Sequence, residues 1–324
     1  MLSFDKPALI LAPMEGVTDA PMRAVQGESG AFTFAVSEFL RVAQHVPPKH
    51  VFLKHIPELN TASRTPSGMP VHVQLLGGNA ERMALAAGVA CGLGAGGIDI
   101  NFGCPAKTVN RHDGGATLLK YPHRIREIVA AVRAAVPTHL PVSAKLRLGW
   151  DTLDAIDENA AMAAEGGASW ITIHGRTREA GYAPPIHWSP IGRVRAMLKI
   201  PVVANGDIWT LEDFRRCRDD TGCIHFMLGR GALANPLLSW QVASELGLIV
   251  SVHAAPVEWA ALMTRLIARS GVESSSGRIL RRLKQWLSMA ARFGTFREFD
   301  AIKRSESIDE LMRIVGRVQP SHSG

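Results

Sequence analysis

Residues 79–103, NAERMALAAGVACGLGAGGIDINFG, decide between two folds. The segment GLGAGG (92–97) spells G-x-G-x-x-G, a pattern that in an open, doubly wound sheet follows a strand, opens a helix and holds a dinucleotide. Here the order is reversed. A helical pattern (NAERMALAAGVAC) comes first, then the glycines, then an apolar run (GIDINFG), so the glycines end a helix and turn the chain into a strand. The dinucleotide reading fails on order alone.

Working outward, the same rhythm recurs. Apolar runs fall at ALILAPM (8–14), FAVSEF (34–39), VHVQLL (71–76), GIDINFG (97–103), VSAKLRL (142–148), WITIHGR (170–176), PVVANGD (201–207) and HFMLGRG (225–231). Helix-period segments such as HRIREIVAAVRAAV lie between most of them. Strands alternating with helices make parallel β/α units, and eight of them predict a closed (β/α)8 TIM barrel, with an open sheet as the alternative. Chemistry then belongs at the carboxyl ends of the strands. Those ends carry Pro13 and Met14, Glu38, Gln74, Asn101 with Cys104, Lys145 with Arg147, His174 with Arg176, Asn205 with Asp207, and Gly229 with Arg230. After residue 248 the strand signals stop and the pattern is helical. The expected division is a catalytic barrel over 1–248 and a small α-helical domain over 249–324.

The 324 residues carry a net charge of +7. After residue 250 there are 12 Arg and Lys against 7 Asp and Glu, so most of the excess lies in the tail. In RILRRLKQWL (278–287) Leu280, Leu283 and Leu287 share a face, while Arg281, Arg282 and Lys284 are candidates for gripping a polyanion's phosphates. No apolar window is long enough for a membrane span, and the opening residues lack a secretory signal's features. The four cysteines form no C-x-x-C pair, which predicts free thiols in a reducing, cytoplasmic setting and no cysteine-built metal site.

The last two strand ends, Asn205-Gly206-Asp207 and Gly229-Arg230-Gly231, are the candidate phosphate site, with backbone N–H groups and an arginine as donors. Gln74, Lys145 and His174 suit a flat heteroaromatic cofactor: an amide to read the ring edge and a cation beside the anionic N1 of a reduced flavin. Taken alone, Lys145 also fits an aldolase's Schiff-base lysine, and His174 a structural histidine.

The combination LAPMEGVTD, SEF, VQLLG, DINFGCP, GGATLL, RLGW, HGRT, NGDIW and LGRGAL resembles the tRNA-dihydrouridine synthases along essentially the whole chain. Within that family, ASRTPSG, GCPAKTVN, RLGW, NGDIW and RRLKQWL look like the bacterial subgroup that acts on uridine 16 of the D-loop. The resemblance implies FMN in the barrel mouth, NADPH as the reductant and tRNA as the substrate, with no obligatory protein partner and a monomeric enzyme. It implies FMN contacts from Pro13, Met14, Gln74, Lys145, His174, Asn205, Gly206, Asp207, Gly229 and Arg230. Cys104 would be catalytic. Glu38 and Asn101 would meet the substrate, and Lys107, Arg176 and Tyr182 would touch the tRNA. A thiol near pH 7 is mostly protonated, so Cys104 can act as a general acid without a base to activate it. In the loop NRHDGGA, His112 and Asp113 depart from the family's usual pattern and receive no role here. The rival readings are the same chemistry at uridine 17 or 20, a flavin barrel acting on a free small molecule, the Lys145 aldolase, and a catalytically idle tRNA-binding protein.

Overall fold

The computed structural model describes residues 2–110, 113–250, 257–271 and 274–318; His112 lies outside them. Nine parallel strands form the sheet: β1 (Ala8–Leu11), β2 (Phe34–Val36), β3 (Leu40–Arg41), β4 (Val71–Leu76), β5 (Ile98–Asn101), β6 (Val142–Arg147), β7 (Trp170–His174), β8 (Val202–Asn205) and β9 (His225–Leu228). Because β2 pairs with both β1 and β4, eight of them close into a barrel. The open-sheet alternative is thereby excluded. The ninth, β3, is a two-residue spur pairing Leu40 with Leu75 at the top of β4, which no apolar run announces.

Pleat parity assigns the faces. Val71, Val73 and Leu75 point outward into the main core with Ile98, Ile100, Ala144, Leu146, Ile171 and Ile173. Alternate residues point inward. The floor of the barrel is apolar and aromatic: Phe34 stacks on His72 at 4.4 Å, beside Trp170 and Met227. Above it the lining turns polar, through Gln74, Asp99, Asn101, Ser143, Lys145, His174 and Asn205. The fold thus separates an inert lower core from a reactive upper one.

The 79–103 segment folds as its order requires. Asn79 caps the helix Ala80–Gly92 by accepting the Arg82 N–H, and Gly94, at φ +91°, turns the chain toward β5. In the tail, helices occupy Trp259–Arg269, Ser276–Phe293, Phe299–Ile302 and Ile308–Val318. The buried stripe of Ser276–Phe293 is Ile279, Leu283, Trp286, Leu287 and Ala290, so Leu280 sits at its margin rather than at its centre. Trp286 stacks edge-on against Trp259 and donates Nε1–H to the Leu233 carbonyl at 2.9 Å. One continuous apolar core therefore joins the tail helices to the barrel. No helix among the described residues is long and apolar enough to cross a membrane.

Candidate active site

A cleft opens at the carboxyl ends of the strands. Its wall gathers Pro13, Met14, Glu38, Gln74, Asn101, Cys104, Lys145, His174, Tyr182, Asn205, Gly206, Asp207, Gly229 and Arg230. These come from all eight barrel strands and the loops after them, which is what closure of the sheet does to residues distant in sequence.

A hydrogen-bonded chain crosses the floor of the cleft. Ser143 Oγ donates to Asp99 Oδ1 at 2.6 Å, Gln74 Nε2 donates to Asp99 Oδ2 at 2.7 Å, and Asn101 Nδ2 donates to Gln74 Oε1 at 2.9 Å. Asn101 Oδ1 in turn accepts the backbone N–H groups of Gly103 and Cys104, both at 2.9 Å. The same asparagine therefore orients Gln74 and shapes the turn that presents the thiol. Burial raises the Asp99 carboxyl to about 6, against the pull of Ser143 and Gln74. Sequence reasoning assigned Asp99 nothing. Its signal was an acid inside an apolar strand, in register with Gln74 and Ser143 on the two flanking strands.

Cys104 is half-buried, and burial holds its thiol above the ordinary range despite the nearby Arg147 charge. Cys217 and Cys223 are buried in the core. Arg147 is a second residue missed as a site component. Its Nε donates to the Gly103 carbonyl at 2.8 Å, and Nη1 donates to the carbonyls of Thr177 at 3.0 Å and Gly181 at 2.8 Å. It thus joins the cysteine turn to the loop carrying Tyr182, over whose ring its guanidinium lies at 5.1 Å.

The opposite end of the cleft is cationic. Lys145 donates to Asn205 Oδ1 at 3.1 Å, and burial, aided by Arg147, brings its ammonium down to about 8. Burial, with Arg147, Lys145, Arg176 and Arg230 around it, holds His174 neutral, far below its usual value. Asp207, at φ +47°, accepts Arg176 on one carboxylate oxygen and Arg230 on the other, the latter at 2.9 Å. Two buried polar atoms here have no partner, Nδ1 of His174 and Nη1 of Arg176. The concentrated positive charge of Lys145, Arg147 and Arg230 on this wall suits an anion. Gly206, on the same wall, sits at φ +117°, and a Cβ there would lie 2.8 Å from Ile186 Cδ1 and 3.2 Å from His174 Nε2, so the position admits only glycine without strain.

At the rim, Glu38 accepts the Val17 N–H at 3.1 Å; burial, then Glu15 and Asp19, lift its carboxyl to about 7. Five of the sequence-predicted residues lie off the cleft wall. Lys107 is exposed on the short helix Lys107–Asn110. Arg176, expected at the tRNA, is 1% exposed and paired with Asp207, so it faces the protein. Arg281 is exposed on the tail helix. Arg282 and Lys284, expected to grip phosphates, have internal partners instead. Arg282 bonds both Asp19 oxygens at 3.1 and 3.2 Å and the carbonyls of Gly16 and Val17, each at 2.5 Å. Lys284 caps the carbonyls of Lys303 at 3.0 Å and Ser305 at 2.5 Å.

Fold and site together define a barrel enzyme that works at the carboxyl ends of its strands, with a protonated thiol facing a cationic, glycine-lined pocket. The family model described as dihydrouridine synthase (Dus) matches residues 10–315, and the chain belongs to that family. It is 40% identical over 319 residues to the tRNA-dihydrouridine(16) synthase of Pseudomonas syringae pv. tomato, covering 95% of this chain and 98% of that one. It is 42% identical over 315 residues to the tRNA-dihydrouridine(16) synthase of Pseudomonas putida, covering 95% and 96%. Among solved structures, the fold is shared with histamine dehydrogenase from Rhizobium sp. 4-9, at TM-score 0.55 and 15% identity over 81% of this chain and 49% of that one. It is also shared with a variant of NCR from Zymomonas mobilis, at TM-score 0.51 and 16% identity over 76% and 92%.

Proposed function

We propose that this enzyme reduces the C5–C6 double bond of uridine 16 in the D-loop of tRNA, using FMN and NADPH, as a monomer in the cytoplasm. The observation that carries the reading is the pairing, on one cleft wall, of a thiol that keeps its proton with a cationic, anion-ready pocket. FMN fits that pocket by charge and by the glycines on its wall, Gly206 and Gly229. Pro13, Met14, Gln74 and Lys145 would hold its ring, and His174, Asn205, Gly206, Asp207, Gly229 and Arg230 its phosphate end. When bound and reduced, it supplies the hydride for C6.

The chain's own part is to bring the base in and to deliver a proton. A uridine in an RNA loop leaves its stack at low cost and enters the cleft past Tyr182, which is 56% exposed at the rim. Asn101 and Glu38 would meet the base. Cys104 Sγ gives its proton to C5, and the thiolate left behind lies in the field of Arg147 until solvent at the open mouth returns the proton. The residues over 249–324 act as the tRNA-binding unit. With Arg282 and Lys284 engaged internally, its exposed phosphate ligand is Arg281, supported by exposed Lys107 beside the cysteine.

Dihydrouridine mapping by position, on unmodified transcripts and on tRNA from a strain lacking the modification, tests the reading. Gain at position 16 supports it. Gain at 17 or 20 keeps the chemistry and moves the target, while reduction of a free nucleoside, with tRNA untouched, makes the enzyme a small-molecule oxidoreductase.

Two further outcomes follow. Gly206→Ala places a side chain at a strained φ and against Ile186, at a cost of about 1–3 kcal/mol. FMN affinity, read by fluorescence titration of the apoprotein, is expected to fall at least tenfold; unchanged affinity would remove Gly206 from the site. The single-turnover rate of tRNA reduction is expected to fall on the alkaline side. Lys145 loses its charge through about 8, and Cys104, raised by burial, loses its proton above the ordinary thiol range. Both losses act in one direction, so a rate that climbs from about pH 7 to about pH 9 would mean that the charge on Lys145 is not required.

A further inference from the structure

We infer that Asp113 and Arg124 form a clasp that holds the far side of the Cys104 loop and so sets where the thiol presents its proton. The inference rests on the reading of Cys104 as the proton donor.

From Cys104 the chain runs outward through the helix Lys107–Asn110 and returns at residues 113–116. The returning strand of the loop is the seat of the thiol. Ala116 N–H donates to the Cys104 carbonyl at 3.1 Å. A Cβ on Gly115, which sits at φ +60°, would lie 3.0 Å from that carbonyl oxygen and 3.1 Å from Cys104 Cβ. Whatever fixes residues 113–116 therefore fixes the peptide beneath the sulfur.

Asp113 is fixed twice. Its own φ is +59°, and its carbonyl oxygen would be only 1.8 Å from a Cβ at Gly78, so the loop backbone rests directly on the turn after β4. Its carboxylate receives a parallel fork from Arg124, with Nη1 to Oδ1 at 2.8 Å and Nη2 to Oδ2 at 2.7 Å. Arg124 Nη2 also donates to the Gly78 carbonyl at 2.8 Å. One guanidinium thus joins three pieces: the helix Pro122–Ala135 that carries it, the turn after β4, and the cysteine loop. The near side of the loop is held separately, by Asn101 and Arg147.

Asp113 is 56% exposed and Arg124 is 26% exposed. An ion pair that wet contributes little to global stability. Its effect is local: it fixes the loop without the fold depending on it. Asp113 and Arg124 are accordingly positioning residues, not catalytic ones, and this gives Asp113 of NRHDGGA a function.

The test compares Asp113→Asn, Arg124→Gln and the double variant in the FMN-loaded full chain. One readout is the rate at which iodoacetamide alkylates Cys104, resolved by peptide mass spectrometry. The other is single-turnover reduction of tRNA. Each single variant is expected to raise alkylation and slow tRNA reduction by about fivefold, the scale of a partly exposed ion pair. The double variant is expected to go no further, because both changes remove the same contact. Flavin reduction by NADPH, which needs no thiol, keeps its rate. Arg126→Gln, on the same helix as Arg124, breaks an exposed pair with Glu165 of the helix Ala155–Glu165 and changes neither readout. Gly78→Ala supplies an independent route, since it displaces Asp113 with both charges intact and is expected to reproduce the effect. Unchanged alkylation and tRNA reduction in both single variants, or effects that add in the double variant, overturn the clasp. A wild-type enzyme that reduces no tRNA overturns the proposed function instead, and the alkylation comparison still reads the clasp.

Discussion

Cys104→Ala is expected to slow the reduction of tRNA by about 10²–10⁴-fold, the usual range for removing a positioned general acid. Alanine keeps the turn, because Asn101 binds the backbone N–H groups of residues 103 and 104 rather than the side chain. What is lost is the proton at Sγ. The effect should therefore fall on the single-turnover rate with tRNA, and leave FMN affinity and flavin reduction by NADPH where they were. Cys104→Ser separates proton donation from shape: a hydroxyl fills the same space but holds its proton far more tightly, so it should rescue little. Full tRNA reduction by either variant would mean that another group, or water, protonates C5. Cys217 and Cys223 cannot substitute, because both are buried in the core with burial holding their thiols well above the usual range.

Asp207→Ala has the next largest expected effect, and it is felt before any substrate arrives. The carboxylate divides itself between Arg176 and Arg230. Arg176 is 1% exposed, its Nη1 has no partner, and its other bond outside Asp207 is to the Ala183 carbonyl. Removing Asp207 leaves that guanidinium charged and buried, which costs about 3–5 kcal/mol. Denaturant unfolding of the apoprotein should show the loss as a lower midpoint. Asp207→Asn tolerates the left-handed φ of +47° and keeps one acceptor, so it should lose less. Added phosphate or FMN should return part of the stability to both variants, since an anion in the pocket takes over the vacated charge. Equal stability of Asp207→Ala and the parent chain would mean that Arg176 finds water, and that this end of the cleft is wetter than its burial implies.

The barrel was legible in the sequence because buried parallel strands are apolar on both faces, which leaves continuous runs, and because helix–glycine–strand order is directional. The two-residue β3 left no such trace: Leu40-Arg41 has one buried and one exposed residue. Most of the cleft was legible for a related reason. Closure sends every strand end to one mouth, so residue types at strand ends can be read without coordinates. Pairing could not be read. Charge counts mark the tail helix as basic but do not say which cations are already engaged, and Arg282 finds Asp19 at a separation of 263 residues. The same blindness put Arg176 at the RNA, when its partner Asp207 stands at the next strand end but faces the same interior. Asp99 escaped notice, and Arg147 was seen at its strand end but given no role, because what they do lies in what they hold, Gln74 and the Gly103 turn, and not in the substrate.

The bonds of Arg282 carry a last consequence. They rivet the tail to the loop between β1 and its helix, which begins with the cleft-wall residues Pro13 and Met14, while Arg269 on Glu28 and Trp286 on Leu233 fasten it to the end of that helix and to the short helix after β9. Tail and mouth are then a single gauge with a set span. A gauge does not adapt to what it measures. On the proposed reading of the tail as the tRNA-binding unit, the selection of one uridine over its neighbours becomes a property of the RNA's own stiffness: the target is the base that reaches the thiol with least bending of the D-loop, and a uridine one step away is refused by the elasticity of its own strand.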